Sequence, residues 1–200
     1  MAAAIAILTG MRDAVIGVAD HSGWAVLVTA TADGTLVDRR RIELVASDLP
    51  KLPHHHEAQK LPLADALGLI ERVRVSAERH ATLALDAIAP EISSRILRVA
   101  IRECPPLPPT IAERIGNYRA QNVADTVMYR MALAGAAEAR GWAVHWYQRK
   151  RVLDAARDAL PAADLDARFI SVRQSIGPPW TNDHKVAMAA AIVAASDGRL

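Results

Sequence analysis

The chain is poor in cysteine and in aromatic residues. Cys104 is the only cysteine in 200 residues, which excludes an internal disulfide and a cysteine-rich zinc site and suits a reducing compartment. One Phe and three Tyr leave too little ring surface for an extended platform on which bases would stack. Long apolar runs are also lacking. The opening Met1-Ala-Ala-Ala-Ile-Ala-Ile-Leu8 is too short to span a bilayer, has no basic flank and runs into Arg12 and Asp13. Neither sign of charge dominates: 24 Lys and Arg face 22 Asp and Glu, a net charge of +2, which permits nucleic-acid binding without demanding it. No Gly-x-x-x-x-Gly-Lys loop, Gly-x-Gly-x-x-Gly turn or Gly-x-Ser-x-Gly elbow occurs, so the common nucleotide-binding and serine-hydrolase signatures are absent. The expectation is a cytoplasmic protein with no membrane partner.

What is present is ample core material. Residues of the apolar class make up 52% of the chain, enough for one domain of this length. We expect a single domain over residues 14–200, with residues 1–13 as an N-terminal extension and Met11 as an alternative start. Ala14-Val-Ile-Gly-Val-Ala19 reads as a strand that ends on Asp20, followed by His21-Ser-Gly23. A carboxylate at the end of a buried strand needs a partner or a metal; the other reading is an Asp that caps a turn. Trp24–Ala30 reads as a second strand, and Asp33-Gly34 is a hairpin turn signal before a third, Thr35–Val45.

A loop from Ala46 to Leu61 holds His54-His55-His56-Glu57. No ligand spacing of a zinc site accompanies these histidines, so they read as a polar surface loop. Pro62 opens a long amphipathic helix to about Ala89. Arg95–Arg102 is a dense apolar strand leading to Glu103 and then to Pro105-Pro-Leu-Pro-Pro109, which can be neither helix nor central strand. Thr110 and Glu113 form a capping box for a second long helix, about Ile111 to Arg140, which stops at Gly141. Its alanines (Ala132, Ala134, Ala136, Ala137) allow close approach, either to the sheet or to the mate in a homodimer. Trp142–Gln148 reads as a fifth strand, Val152–Leu160 as a short helix, Pro161–Gly177 as irregular, and Thr181 caps a final helix through Ala195.

The order β-β-β-α-β-α-β-α, with Asp20 after the first strand, Glu103 after the fourth and Asp183 at the start of the last helix, resembles the RNase H-like superfamily, an α/β fold with a mixed five-stranded sheet flanked by helices. Within it the chain is most similar to RuvC-type Holliday-junction resolvases. That resemblance implies a nuclease that cleaves phosphodiester bonds of structured or double-stranded nucleic acid. Asp20, Glu103 and Asp183 would hold a pair of Mg²⁺ or Mn²⁺ ions, which take hard oxygen ligands, and His184 would serve as fourth ligand or general base. Arg149, Lys150 and Arg151, after the fifth strand, would contact phosphates. Arg39, Arg40 and Arg41 form a second basic run, and solvated faces are the ordinary reading for both. The chain departs from the family where Val186 and Ala187 stand in place of a second acid in the last helix. A non-catalytic RNase H-like binding or assembly module is therefore the open alternative, and an ATPase-like half domain acting as a dimer is a third.

Overall fold

The structure is a computed structural model that describes residues 11–160 and 164–197. Residues 1–10, most of the expected extension, lie outside that range. Strand β1 (Arg12–His21) turns at Gly23 into β2 (Trp24–Thr31), and β2 turns into β3 (Leu36–Glu43). Gly34 has φ 75°, the left-handed conformation that the Asp33-Gly34 signal requires, and the Asp33 carboxylate accepts hydrogen bonds from the Thr35 N–H and hydroxyl. Helix α1 (Leu63–Ile88) crosses to β4 (Ser94–Arg102); α2 (Ile111–Ile115) and α3 (Tyr118–Glu138) lead to β5 (Ala143–Tyr147). Helices α4 (Val152–Ala159), α5 (Leu165–Ile176) and α6 (Asn182–Ser196) follow.

The sheet order is β3-β2-β1-β4-β5. β1 pairs antiparallel with β2 and parallel with β4, and β4 pairs parallel with β5. This is the mixed five-stranded sheet expected from the sequence. Strand alternation sorts the core into two layers. Ile16 and Val18 of β1 and Val99 and Ile101 of β4 pack with α1 and α3. Val15, Ala19, Val28 and Ala100 pack with α4, α5 and α6. Gly17 faces the second layer, where α6 comes so close that an added Cβ would lie 1.8 Å from the Ala187 carbonyl oxygen. The alanines at 187, 189, 190, 191 and 194 are buried in that layer.

Three local expectations are revised. The second long helix breaks at Gly116, and Asn117 recaps α3 by accepting a hydrogen bond from Ala120 N–H. The stretch expected to be irregular holds α5, whose start is capped by the Asp164 carboxylate on the Asp166 and Ala167 amides. The alanines of α3 are buried in the first core layer, so of the two partners considered for that face, it packs inside its own chain.

Candidate nucleic-acid interface

β1, β4 and β5 all point their C-terminal ends toward the same edge of the molecule. Strand ends of this kind are where open α/β sheets place ligand sites. Asp20 has the parity of Ile16 and Val18, so its side chain faces the α3 layer. There it meets Arg130: Nε donates to Asp20 Oδ2 at 2.8 Å, and Nη1 donates to the Glu103 carbonyl oxygen at 3.1 Å. Both side chains are more than nine-tenths buried (3% and 4% exposed). Extending the parallel register Gly17↔Ala100 by three residues sets Glu103 beside Asp20, and Arg130 ties the two strand ends together. The Glu103 residue is exposed. Burial pushes the Cys104 thiol up, against the pull of the nearby Arg130 charge.

Asp183 belongs to the other layer. His21, with the opposite parity to Asp20, turns toward α6 and brings its Nε2 to 3.0 Å from Asp183 Oδ2. His184, 7% exposed, uses Nδ1 to accept from the Thr181 N–H at 3.2 Å and sits 2.8 Å from the Thr181 hydroxyl. Burial, then the charge of Arg39, hold the His184 imidazole below its ordinary range, against the opposing pull of Asp183. The unfolded chain therefore takes up the proton first as pH falls. Stability is expected to be full above about pH 6.5, the ordinary histidine value, and to decline as pH drops from there through the lowered folded value. Thermal melts of the wild type and His184→Asn between pH 7.5 and 5 check this, with a shallower decline expected in the variant.

The four residues expected at a metal thus occupy two places. Asp20 and the Glu103 backbone share Arg130, whereas Asp183 is taken by His21 and His184 Nδ1 by Thr181. Among the described residues, no group of three His, Cys, Asp or Glu side chains is disposed to hold a metal ion. A guanidinium, which accepts no ligand bond, already neutralises the strand-end carboxylate. As placed, this donor set does not fit a two-metal centre.

A cleft of about 780 Å³ opens next to the Asp20–Arg130 pair, between α3 and the ends of β4 and β5. Arg102, Arg149 and Lys150 line it, and among the described residues none of the three is in an ion pair. Arg151 is exposed and lines a smaller hollow beside it. Tyr147 closes the floor: its hydroxyl donates to the Val18 carbonyl oxygen at 2.7 Å, spanning from β5 across to β1. Burial, then the Asp20 carboxylate, hold this phenol well above its ordinary value.

The second basic run is already engaged. Arg39 donates to the carbonyls of Ile176, Gly177, Pro178 and Pro179, which fixes the entry to α6. Arg40 pairs with Asp38 and Glu91, and Arg41 with Glu43.

The sequence reading missed the roles of His21, Asp125 and Arg130. Asp125 and Arg130 are charged residues on the buried side of α3, and a charge interrupting an apolar helix face is itself the signal that a partner faces it. The histidine loop is revised with them. Pro53–Glu57 forms a π-helical turn, and His54 is 2% exposed. Asp125 Oδ1 accepts from the His54 amide and lies 2.8 Å from its Nδ1, while Oδ2 accepts from the His55 amide. His54 is an anchor for the turn, held by a buried carboxylate, and not part of a polar surface loop.

No family model and no curated protein sequence matches the chain. Solved structures do match. Thermus thermophilus RuvC in complex with Holliday junction substrate is 18% identical, with a TM-score of 0.52 over 94% of this chain and 96% of that one. A second Thermus thermophilus RuvC structure is 17% identical, with a TM-score of 0.48 over 93% and 95%. Among the described residues no helix is long and apolar enough to cross a membrane. Strand order, layer arrangement and the first of these likenesses agree: the chain has the RuvC-like, RNase H-like fold.

Proposed function

We propose that this chain is a nucleic-acid-binding module on a RuvC-like fold, non-catalytic toward phosphodiesters, which holds the backbone of duplex or branched nucleic acid in the cleft lined by Arg102, Arg149 and Lys150. The observation that carries this reading is the buried Arg130 guanidinium on Asp20. It supplies the positive charge that a strand-end carboxylate needs, and it leaves the neighbouring cations of the cleft free for an external anion. Phosphates suit such a cleft because arginine and lysine neutralise them and release condensed counterions. The Thermus thermophilus relative was solved with Holliday junction substrate, so branched DNA is the first ligand to try.

The expected result is binding of branched and linear DNA whose affinity falls steeply with salt. Arg149→Ala combined with Lys150→Ala should weaken binding to all sequences alike and lower the log–log salt slope by about 2. No cleavage product is expected with Mg²⁺ or Mn²⁺. A salt-independent affinity, or one unmoved by the double variant, would sink the cleft assignment.

A metal-dependent nuclease is the second reading, favoured by one observation: Arg130 bonds both the Asp20 carboxylate and the Glu103 carbonyl, so the two acid-bearing strand ends share one cation. It requires Arg130 to leave Asp20, and Asp183 and His184 to leave their present partners. Cleavage by the wild type that is abolished in Asp20→Asn would establish it in place of the binding module.

A further inference from the structure

A second hollow, of about 370 Å³, lies on the opposite face of the sheet at the same end. Trp24 and Val26 form its floor, Arg41 and Pro179 its walls, and Asp183 and His184 at the start of α6 its polar side. Its volume falls in the range of small-molecule sites, about 300–1,000 Å³, and its mix of apolar walls and a few convergent polar groups is what such sites use.

The Trp24 ring of that floor lies between His21, which is outside the lining, and Arg41. His21 and Trp24, opposite each other across the β1–β2 turn, lie parallel within 4° with ring centroids 4.0 Å apart. The Arg41 guanidinium carbon is 4.0 Å from the Trp24 ring centroid. The Arg41 side chain is 57% exposed, so the stack ends on a planar cation open to solvent. On the polar side, the Thr181 amide donates to His184 Nδ1, which leaves the proton of the neutral ring on Nε2 as a donor. Asp183 gives one carboxylate oxygen to His21, and its second oxygen is an acceptor.

We propose that this hollow takes one unstacked nucleobase from a strand bound across this end of the sheet. The base would extend the planar stack at Arg41, and its edge would be read by His184 Nε2–H and Asp183. A donor beside an acceptor, flanked by a guanidinium plane, matches the edge and face of a nucleobase. A phosphate is a poorer fit: Arg39 and Arg40, which also line the hollow, are spent on the Ile176–Pro179 carbonyls and on Asp38 and Glu91, and Asp183 would repel it. This inference rests on the nucleic-acid reading: the Arg102–Lys150 cleft would hold backbone, and the β1 tip, with Asp20 facing one layer and His21 the other, separates the two places.

The test uses the full chain and DNA duplexes carrying a single unpaired 2-aminopurine, compared at one salt concentration with fully paired duplexes and with free nucleoside monophosphates. Wild type is expected to prefer the duplex with the unpaired base by about tenfold, the scale of one base stack, with a change in 2-aminopurine fluorescence. Arg41→Lys keeps the charge and removes the plane, and is expected to bring that preference close to one. Trp24→Leu, checked for folding by circular dichroism, is expected to do the same. An unchanged preference in Arg41→Lys, or none in wild type, would overturn the base pocket while leaving the cleft intact. Free mononucleotides binding as tightly as the duplex would overturn its assignment to a strand. Failure of every DNA to bind would instead overturn the reading of the cleft.

Discussion

Arg130→Ala is expected to destabilise the protein by about 3–5 kcal/mol, because it strands the Asp20 carboxylate in a buried position with no partner. In a chain of this size that corresponds to a fall in melting temperature of roughly 10 °C. Arg130→Lys keeps the charge but cannot hold Asp20 Oδ2 and the Glu103 carbonyl with the same two-armed geometry, so an intermediate loss is expected. Removing both charges, in Asp20→Asn with Arg130→Leu, should cost less than the sum of the single changes, since the main penalty of each single change is the unpaired buried charge it leaves. Urea denaturation of the wild type, Arg130→Ala, Arg130→Lys, Asp20→Asn, Arg130→Leu and the double variant checks this. A loss below about 1 kcal/mol for Arg130→Ala would mean that the pair behaves as an exposed one, and the argument that it takes the place of a metal charge would fall with it.

Gly17→Ala carries the other large effect. The added methyl would sit 1.8 Å from the Ala187 carbonyl oxygen and 2.8 Å from the Ala191 amide nitrogen. Both are backbone atoms of α6, which cannot turn aside as a flexible side chain would. The loss should reach or exceed about 3 kcal/mol, the upper end of ordinary overpacking, or the variant should fail to fold. Gly135→Ala is the matching control. Nothing lies within 4 Å of a Cβ there, the position is inside α3, and the change should stabilise by about 0.5–1 kcal/mol. Equal behaviour of the two variants in thermal melts would contradict the close contact between β1 and α6.

The order of elements was legible in the sequence because it is written in local signals. Asp33-Gly34, Pro62, the Pro105–Pro109 run and Gly141 each mark a boundary that stands in the structure. Where two signals competed, the reading slipped. Gly116-Asn117 holds a helix stop and a new cap inside one apolar pattern, and Asp164 caps a helix inside the Pro161–Gly177 stretch read as irregular. The site was less legible than the fold. A partner for Asp20 is one of the two readings of its place after Ala14–Ala19, beside a turn cap, and the sequence does not say which charge would meet it. Arg130 is 110 residues away, on a helix where acids and bases alternate. Asp183 was expected beside Asp20, whereas side-chain alternation along β1 assigns residues 20 and 21 to opposite layers, and it is His21 that meets the last helix. Such pairings depend on which face of the sheet each helix covers, and no short motif encodes that.

The strand order also has a consequence for how the chain reaches this state. β1, β2 and β3 pair through tight turns, so their contacts close loops of a few residues. The β1–β4 pairing joins Arg12 to Ser94 and Gly17 to Ala100, and it costs the entropy of a loop of roughly eighty residues before any contact repays it. Folding should therefore begin with the three-stranded meander and wait on the docking of β4, giving a rate set by non-local contacts. Substitutions in the β2–β3 turn would then change the folding rate, whereas substitutions at the Asp20–Arg130 contact, formed after β4 arrives, would chiefly change the rate of unfolding.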